Sequence, residues 1–294
     1  MKHSLQVTLI LLTFFLLAQG IGLGVIYNYI DHDQSVDGET IFKDLPIGER
    51  PKIQHNYFYL YVIPVVVLGT MLVLFLLRNK LTWIWRVWFL TAIAIALVIS
   101  FYSFMPAIIA TVLGITLAIW RIFKPNFWVQ NLTELFVYGG LAAIFVPLFS
   151  VITISILMVI IAIYDAYAVW KSKHMITLAK EQTKAKVFAG LYIPYTMKLP
   201  SNKPSRSKKG VRTAILGGGD IGFPLIFAGV VMKELGIWQS MIIPFFALVG
   251  LAFLLWRSDE KKFYPAMPFI GAGCFIGLGL IYLIQYLISL NWTF

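Results

Sequence analysis

The sequence predicts an all-helical protein that crosses a membrane about nine times. Three features lead there. The chain is 60% hydrophobic and 13% charged, well below the ~25% charged residues usual in soluble domains. Its apolar residues fall in runs of about 20, the length a helix needs to span a bilayer, and a helix satisfies its own backbone polar groups in lipid. Once these runs are threaded through a membrane, 20 of the 24 Lys and Arg fall on one side, the bias that marks the cytoplasmic face.

The expected spans are 5–28, 58–77, 87–104, 106–121, 132–147, 149–169, 212–232, 238–256 and 264–290. The first begins just after Lys2, and "LLAQGIG" offers small residues as in a signal-peptide cleavage site. The apolar stretch runs on to about Ile30, longer than a signal core, so an uncleaved anchor is expected. "FMPA" at 104–107 and "VPLF" at 146–149 leave almost no loop, so proline and length set those divisions. The expected organisation is one membrane domain in three parts. Residues 1–170 carry six spans, 171–211 form a basic, partly disordered cytoplasmic loop, and 212–294 carry three spans. Within the loop, "VFAGLYIPY" (187–195) is apolar and "LPSNKPSRSKKG" (199–210) has a linker's composition.

The charge asymmetry places the amino terminus in the cytoplasm and the carboxyl terminus outside, in a multi-pass protein of the cell membrane. It also accounts for the net charge of +11 as a topology signal and a contact with anionic lipid, so no nucleic-acid partner is called for. The single cysteine, Cys274, excludes an internal disulfide and any C-x-x-C metal or redox spacing. The four histidines lie outside the spans, which argues against a histidine-ligated metal. No metal and no cofactor are expected.

Among the 13 acids, six crowd the external 31–57 loop, as a solvated outer loop would. Glu134 and Glu234 lie near span ends, where side chains are expected to reach the interface. Two acids remain well inside spans, Asp165 in "IIAIYDAYAVW" and Asp220 in "LGGGDIGF", and an acid near the bilayer centre costs about 2.5–3.5 kcal/mol on insertion scales. Counted at 1.5 Å per helical residue from the nearest cytoplasmic basic residue, they lie about 9 and about 12 Å deep. The spans that carry them flank one loop and are expected to pack together.

Two carboxylates that meet in a low-dielectric pocket share one proton. One accepts a proton from water as it attacks an amide carbonyl, and the other, protonated, stabilises the developing oxyanion. Gly217, Gly218 and Gly219 would let water and an extended substrate backbone approach Asp220. The same residues have other readings: the glycines as a small-residue packing surface, and the aspartates as a proton or cation relay in a transporter or channel, or a retained polar pair in a membrane scaffold. On the residues alone, protease and transporter stand level.

"YD" (Tyr164, Asp165) on the sixth span, "GGGD" (217–220) on the seventh and "PAMP" (265–268) opening the ninth resemble, in that order, the three signatures of the presenilin and signal peptide peptidase family of intramembrane aspartyl proteases. "YDAYAV" is similar to the presenilin form, and the compact chain resembles a microbial, archaeal member able to act alone. The resemblance implies a presenilin-like fold and a GxGD-type endopeptidase with Asp165 and Asp220 as the catalytic pair. It gives Tyr164, Gly217, Gly218, Gly219, Pro265, Ala266 and Met267 a part in shaping the substrate site. Met267 stands where the family usually has leucine. The implied substrates are single-pass transmembrane or signal-peptide-like helices, which must unwind locally before cleavage. The exposed strand would then pair with enzyme backbone, and 187–195 is a candidate gate for the site.

Overall fold

A computed structural model describes residues 5–35, 40–48, 79, 81–124, 126–171, 189–194, 213–259 and 264–291, with scattered helical positions between 64 and 76. The expected second span is therefore only partly described. The linker at 199–210 and most of the 171–211 loop lie outside the described residues.

The described chain is mostly helical. In order come α1 (Leu5–Tyr29), α2 (Thr82–Tyr102), α3 (Ala107–Phe123), α4 (Phe127–Phe145), a single 3-10 turn (Val146–Leu148) and α5 (Val151–Trp170). Two short strands follow, β1 (Gly190–Pro194) and β2 (Thr213–Gly217), then α6 (Gly218–Leu235), α7 (Ile237–Arg257) and α8 (Met267–Asn291). Among the described residues, six helices are long and apolar enough to cross a membrane: α1, α2, α4 with its 3-10 turn, α5, α7 and α8. The apolar α3, with 17 residues, is shorter.

Local chemistry sets several boundaries. The side chain of Asn126 caps α4, accepting from the Trp128 N–H at 2.6 Å, so α4 begins five residues before the expected start at 132. Ser150 and Thr153 form a reciprocal capping box that starts α5. Gly236, at φ 111°, makes the turn between α6 and α7 in a conformation open to glycine. At that end of the bundle, Lys233 Nζ donates to the Phe149 carbonyl at 2.5 Å and Glu234 accepts the Val151 N–H, tying α6 to the start of α5.

The main departure from the sequence reading comes at 212–232, expected to be one helix. Residues 213–217 are extended instead and pair antiparallel with β1, Gly190 opposite Gly217 and Tyr192 opposite Ile215. The helix starts only at Gly218. The β-branched Thr213 and Ile215 suit a strand once a partner strand is present, and the three glycines that follow weaken a helix through this stretch. That partner is the apolar middle of the long loop.

α6 forms the centre of the bundle. It packs against α1, α4, α5, α7 and α8, and every residue from Pro224 to Met232 is buried. The α2–α3 pair stands to one side against α4, with its own core around Trp85, Phe89 and Leu97. α7 and α8 approach at backbone distance. A Cβ on Gly250 would lie 2.2 Å from the Phe269 carbonyl oxygen, and one on Gly273 would lie 2.2 Å from that of Phe246. Gly250→Ala should therefore force the two helices apart and destabilise the protein by roughly 1–3 kcal/mol, read as a lower melting temperature in detergent. Gly279→Ala, with nothing within 4 Å of its added methyl, is the control expected to hold or slightly raise the melting temperature, since alanine favours a helix over glycine.

Candidate active site

Asp165 sits about four turns into α5 and is buried, with 7% of its surface exposed. Its Oδ2 accepts the main-chain N–H of Met267 at 3.1 Å, and the Ala266 N–H lies on the same side of the carboxylate. Met267 is the first residue of α8. The first N–H groups of a helix have no partner within it and carry the positive end of its dipole, so the start of α8 is a ready anion holder. Its sequence narrows the choice of donor. Pro265 and Pro268 have no N–H, which leaves Ala266 and Met267 to serve the carboxylate.

Asp220 occupies the first turn of α6, three residues after Gly217 at its N-cap. Its carboxylate turns back toward the Gly217 N–H, and Oδ2 lies 3.2 Å from where a Cβ on Gly217 would stand. The second acid therefore also lies at a helix N-terminus. Asp220 is close enough to Asp165 for their charges to interact. The uniform helical count of depth does not apply across 213–217, where the chain is extended. Each acid instead stands at the N-terminus of a helix, Asp220 at that of α6 and Asp165 at that of α8.

The other expected site residues divide into three groups. Pro265 and Met267 are buried and Ala266 half-buried at the start of α8. The Met267 side chain is 3% exposed and packs in the main core, while its N–H makes the contact to Asp165. Met267→Leu is nearly conservative in volume and keeps that N–H, so it should shift stability by less than about 1.5 kcal/mol, checked by thermal unfolding. Gly217, Gly218 and Gly219 join β2 to α6. A Cβ on Gly218 would come 2.7 Å from the Tyr138 hydroxyl of α4, whereas one on Gly219 would meet only ordinary contact with Phe223. The middle glycine is the most closely covered, and Gly219, next to Asp220 in the chain, is exposed. Tyr164 is 41% exposed on the surface of α5. Pro224 has no N–H to offer the Asp220 carbonyl one turn back, which loosens the first turn of α6.

Glu134 requires a correction. It does not reach an interface. It is 1% exposed and forms a buried ion pair with Arg121, itself 2% exposed. The start of α4 at Phe127 puts Glu134 two turns inside the helix. Arg121, the last residue of the expected fourth span, lies in the last turn of α3. Sequence reading also passed over Gln19, whose fully buried amide donates to the Ile221 carbonyl of α6 at 2.9 Å. Asn131 and Tyr138 on the inner face of α4 were missed as well. The available signal was polar residues at helical spacing within the apolar run "VQNLTELFVY".

A bundle of membrane-length helices, with two acids on adjacent helices each set against a helix N-terminus, defines a multi-pass integral membrane protein. The chain belongs to the signal-peptide peptidase and presenilin aspartyl protease family, whose model matches residues 41–289. Two solved structures of a presenilin-family intramembrane aspartate protease share its fold. One, in space group C222, has a TM-score of 0.64 and 18% identity, covering 94% of this chain and 99% of that chain. The other, in space group P2, has a TM-score of 0.59 and 19% identity, covering 93% and 96%. No curated protein matches the chain.

Proposed function

We propose that this protein is a GxGD-type endopeptidase that cuts peptide bonds inside the transmembrane helices of other membrane proteins, with Asp165 and Asp220 jointly activating water. The observation that carries this reading is that two acids on adjacent helices each lie at a helix N-terminus, Asp220 at that of α6 and Asp165 at that of α8, close enough for their charges to interact. One acid takes the proton of the attacking water, and the other donates to the carbonyl oxygen as the tetrahedral intermediate forms. The pair acts as a unit with one proton between its members.

The β1–β2 sheet supports the same reading. Neighbouring residues in a strand turn their N–H and C=O groups to opposite edges. With Leu216 and Ala214 facing β1, the main-chain groups of Ile215 and Gly217 point to the other edge, where no described strand pairs with them. A substrate helix that unwinds can add there as a third strand and is then led by β2 directly into the first turn of α6, where Asp220 stands. Tyr164 and the exposed Gly219 border the approach. The substrates are single-pass or signal-peptide-like helices taken from the surrounding lipid. The chain makes about nine crossings, with its amino terminus cytoplasmic and its carboxyl terminus outside.

The test is incubation of the purified protein, in detergent and in lipid vesicles, with a labelled single-pass substrate whose fragments are identified by mass spectrometry. Two fragments that divide within the apolar segment are expected. Proton flux across vesicles with an intact substrate would overturn the protease reading and leave a relay or transporter.

A further inference from the structure

We infer that Asn131 is a positioning residue for cleavage: it fixes β1 as the permanent inner strand of the sheet and thereby sets which bond of an added substrate strand lies at the acid pair. The inference rests on the protease reading above. Asn131 is fully buried on α4. Its Nδ2 donates to the Tyr192 carbonyl at 2.9 Å, and its Oδ1 accepts the Tyr192 N–H at 3.0 Å. A neighbouring strand would offer the same donor and acceptor to an edge residue, so the side-chain amide takes the place of a strand. One turn further along α4, Glu134 Oε1 accepts the Gly190 N–H at 2.9 Å. The outward main-chain groups of β1 are thus held by α4, and strand addition is directed to β2.

Register follows from this anchoring. Asn131 holds Tyr192, Tyr192 lies opposite Ile215, and Ile215 is two residues from the N-cap of α6. Asp220 follows in the first turn. The position of a substrate strand on β2 is therefore referred through main-chain pairing to a side chain on a rigid helix. A one-residue slip of any strand would turn its side chains to the opposite face and move a different bond to the acids. Leu191 and Ile193 are fully buried on the inner face of β1, which resists such a slip while α4 keeps its hold. A strand held in this way serves as scaffold and not as a movable gate.

The experiment compares the fragments released from one labelled single-pass substrate by the wild type, Asn131→Ala and Asn131→Gln. Asn131→Ala removes both bonds to Tyr192, whereas Asn131→Gln keeps the amide on a longer arm. The expected result is that Asn131→Ala spreads cleavage over neighbouring bonds and lowers kcat ~10–100-fold with a smaller change in KM, while Asn131→Gln gives a narrower spread than Asn131→Ala. A folded Asn131→Ala that cuts the wild-type bond at the wild-type rate would overturn the inference. Amide hydrogen exchange in the wild type provides a second measurement that needs no variant to fold. Slow exchange at Gly190 and Tyr192 without substrate is expected, and exchange as fast as in an open strand edge would overturn the clamp. Absence of cleavage by the wild type would count against the protease reading alone, and the exchange measurement would still decide the clamp.

Discussion

Asp165→Asn and Asp220→Asn should each abolish cleavage, lowering the rate by at least ~10²–10⁴-fold, the contribution of one general acid–base group. The reason is that neither acid completes the reaction alone. Water activation needs an ionised oxygen, oxyanion stabilisation needs a protonated one, and an amide cannot alternate between the two. Residues that act as a unit are strongly non-additive, so the double variant should be scarcely slower than either single one. The fold should survive both changes. The amide introduced at position 165 keeps an oxygen able to accept the Met267 N–H that Asp165 accepts at 3.1 Å, and a side-chain oxygen at position 220 can still turn toward the Gly217 N–H. The measurement is the rate of fragment release alongside thermal unfolding for all three variants. Cleavage that persists in either single variant, with the protein folded, would remove that residue from the chemistry.

Much of this arrangement was legible in the sequence because it rests on composition and spacing. Six of the expected spans reappear as helices of membrane length, since an apolar run of that length has few other ways to satisfy its backbone in lipid. The two acids were legible because charges are rare within such runs. The β-sheet was not. A strand in a membrane protein is stable only when its partner comes within hydrogen-bonding distance, and the partner of Thr213–Gly217 lies about 20 residues or more away in a loop whose apolar middle had no assigned neighbour. Helical counting therefore placed Asp220 mid-helix, although it lies in a first turn. Glu134 was misread for a related reason. Its burial depends on where α4 begins, which Asn126 decides through its cap, and on the approach of Arg121 from the preceding helix. "PAMP" was legible as a motif, but its physical role required the structure: two prolines leave two N–H groups, and these face Asp165.

The Arg121–Glu134 pair should carry the largest effect on stability. Both side chains are almost fully buried. The Arg121 guanidinium also donates to Thr133 Oγ1 at 3.1 Å and stands over the Phe89 ring, 5.6 Å from its centre. Glu134 shares its Oε1 between Arg121 and the Gly190 N–H. Removing one partner of such a pair leaves a charge in a low-dielectric interior and typically costs about 3–5 kcal/mol. Glu134→Ala should reach the upper part of that range, since it also leaves the Gly190 N–H without its acceptor and frees one end of β1. Arg121→Met should cost similarly, through a buried carboxylate that has lost its counter-ion. Combining Arg121→Met with Glu134→Leu should cost less than the two singles summed, because no charge is then left unpaired. Thermal unfolding of the detergent-solubilised variants measures all three, and simple additivity would show that the two charges do not depend on each other. Cleavage separates the two duties of Glu134. If the double variant regains most of its stability but cuts slowly or at several bonds, the lost function lies in the Gly190 anchor, because stability lost with the ion pair has been restored while the acceptor for β1 has not.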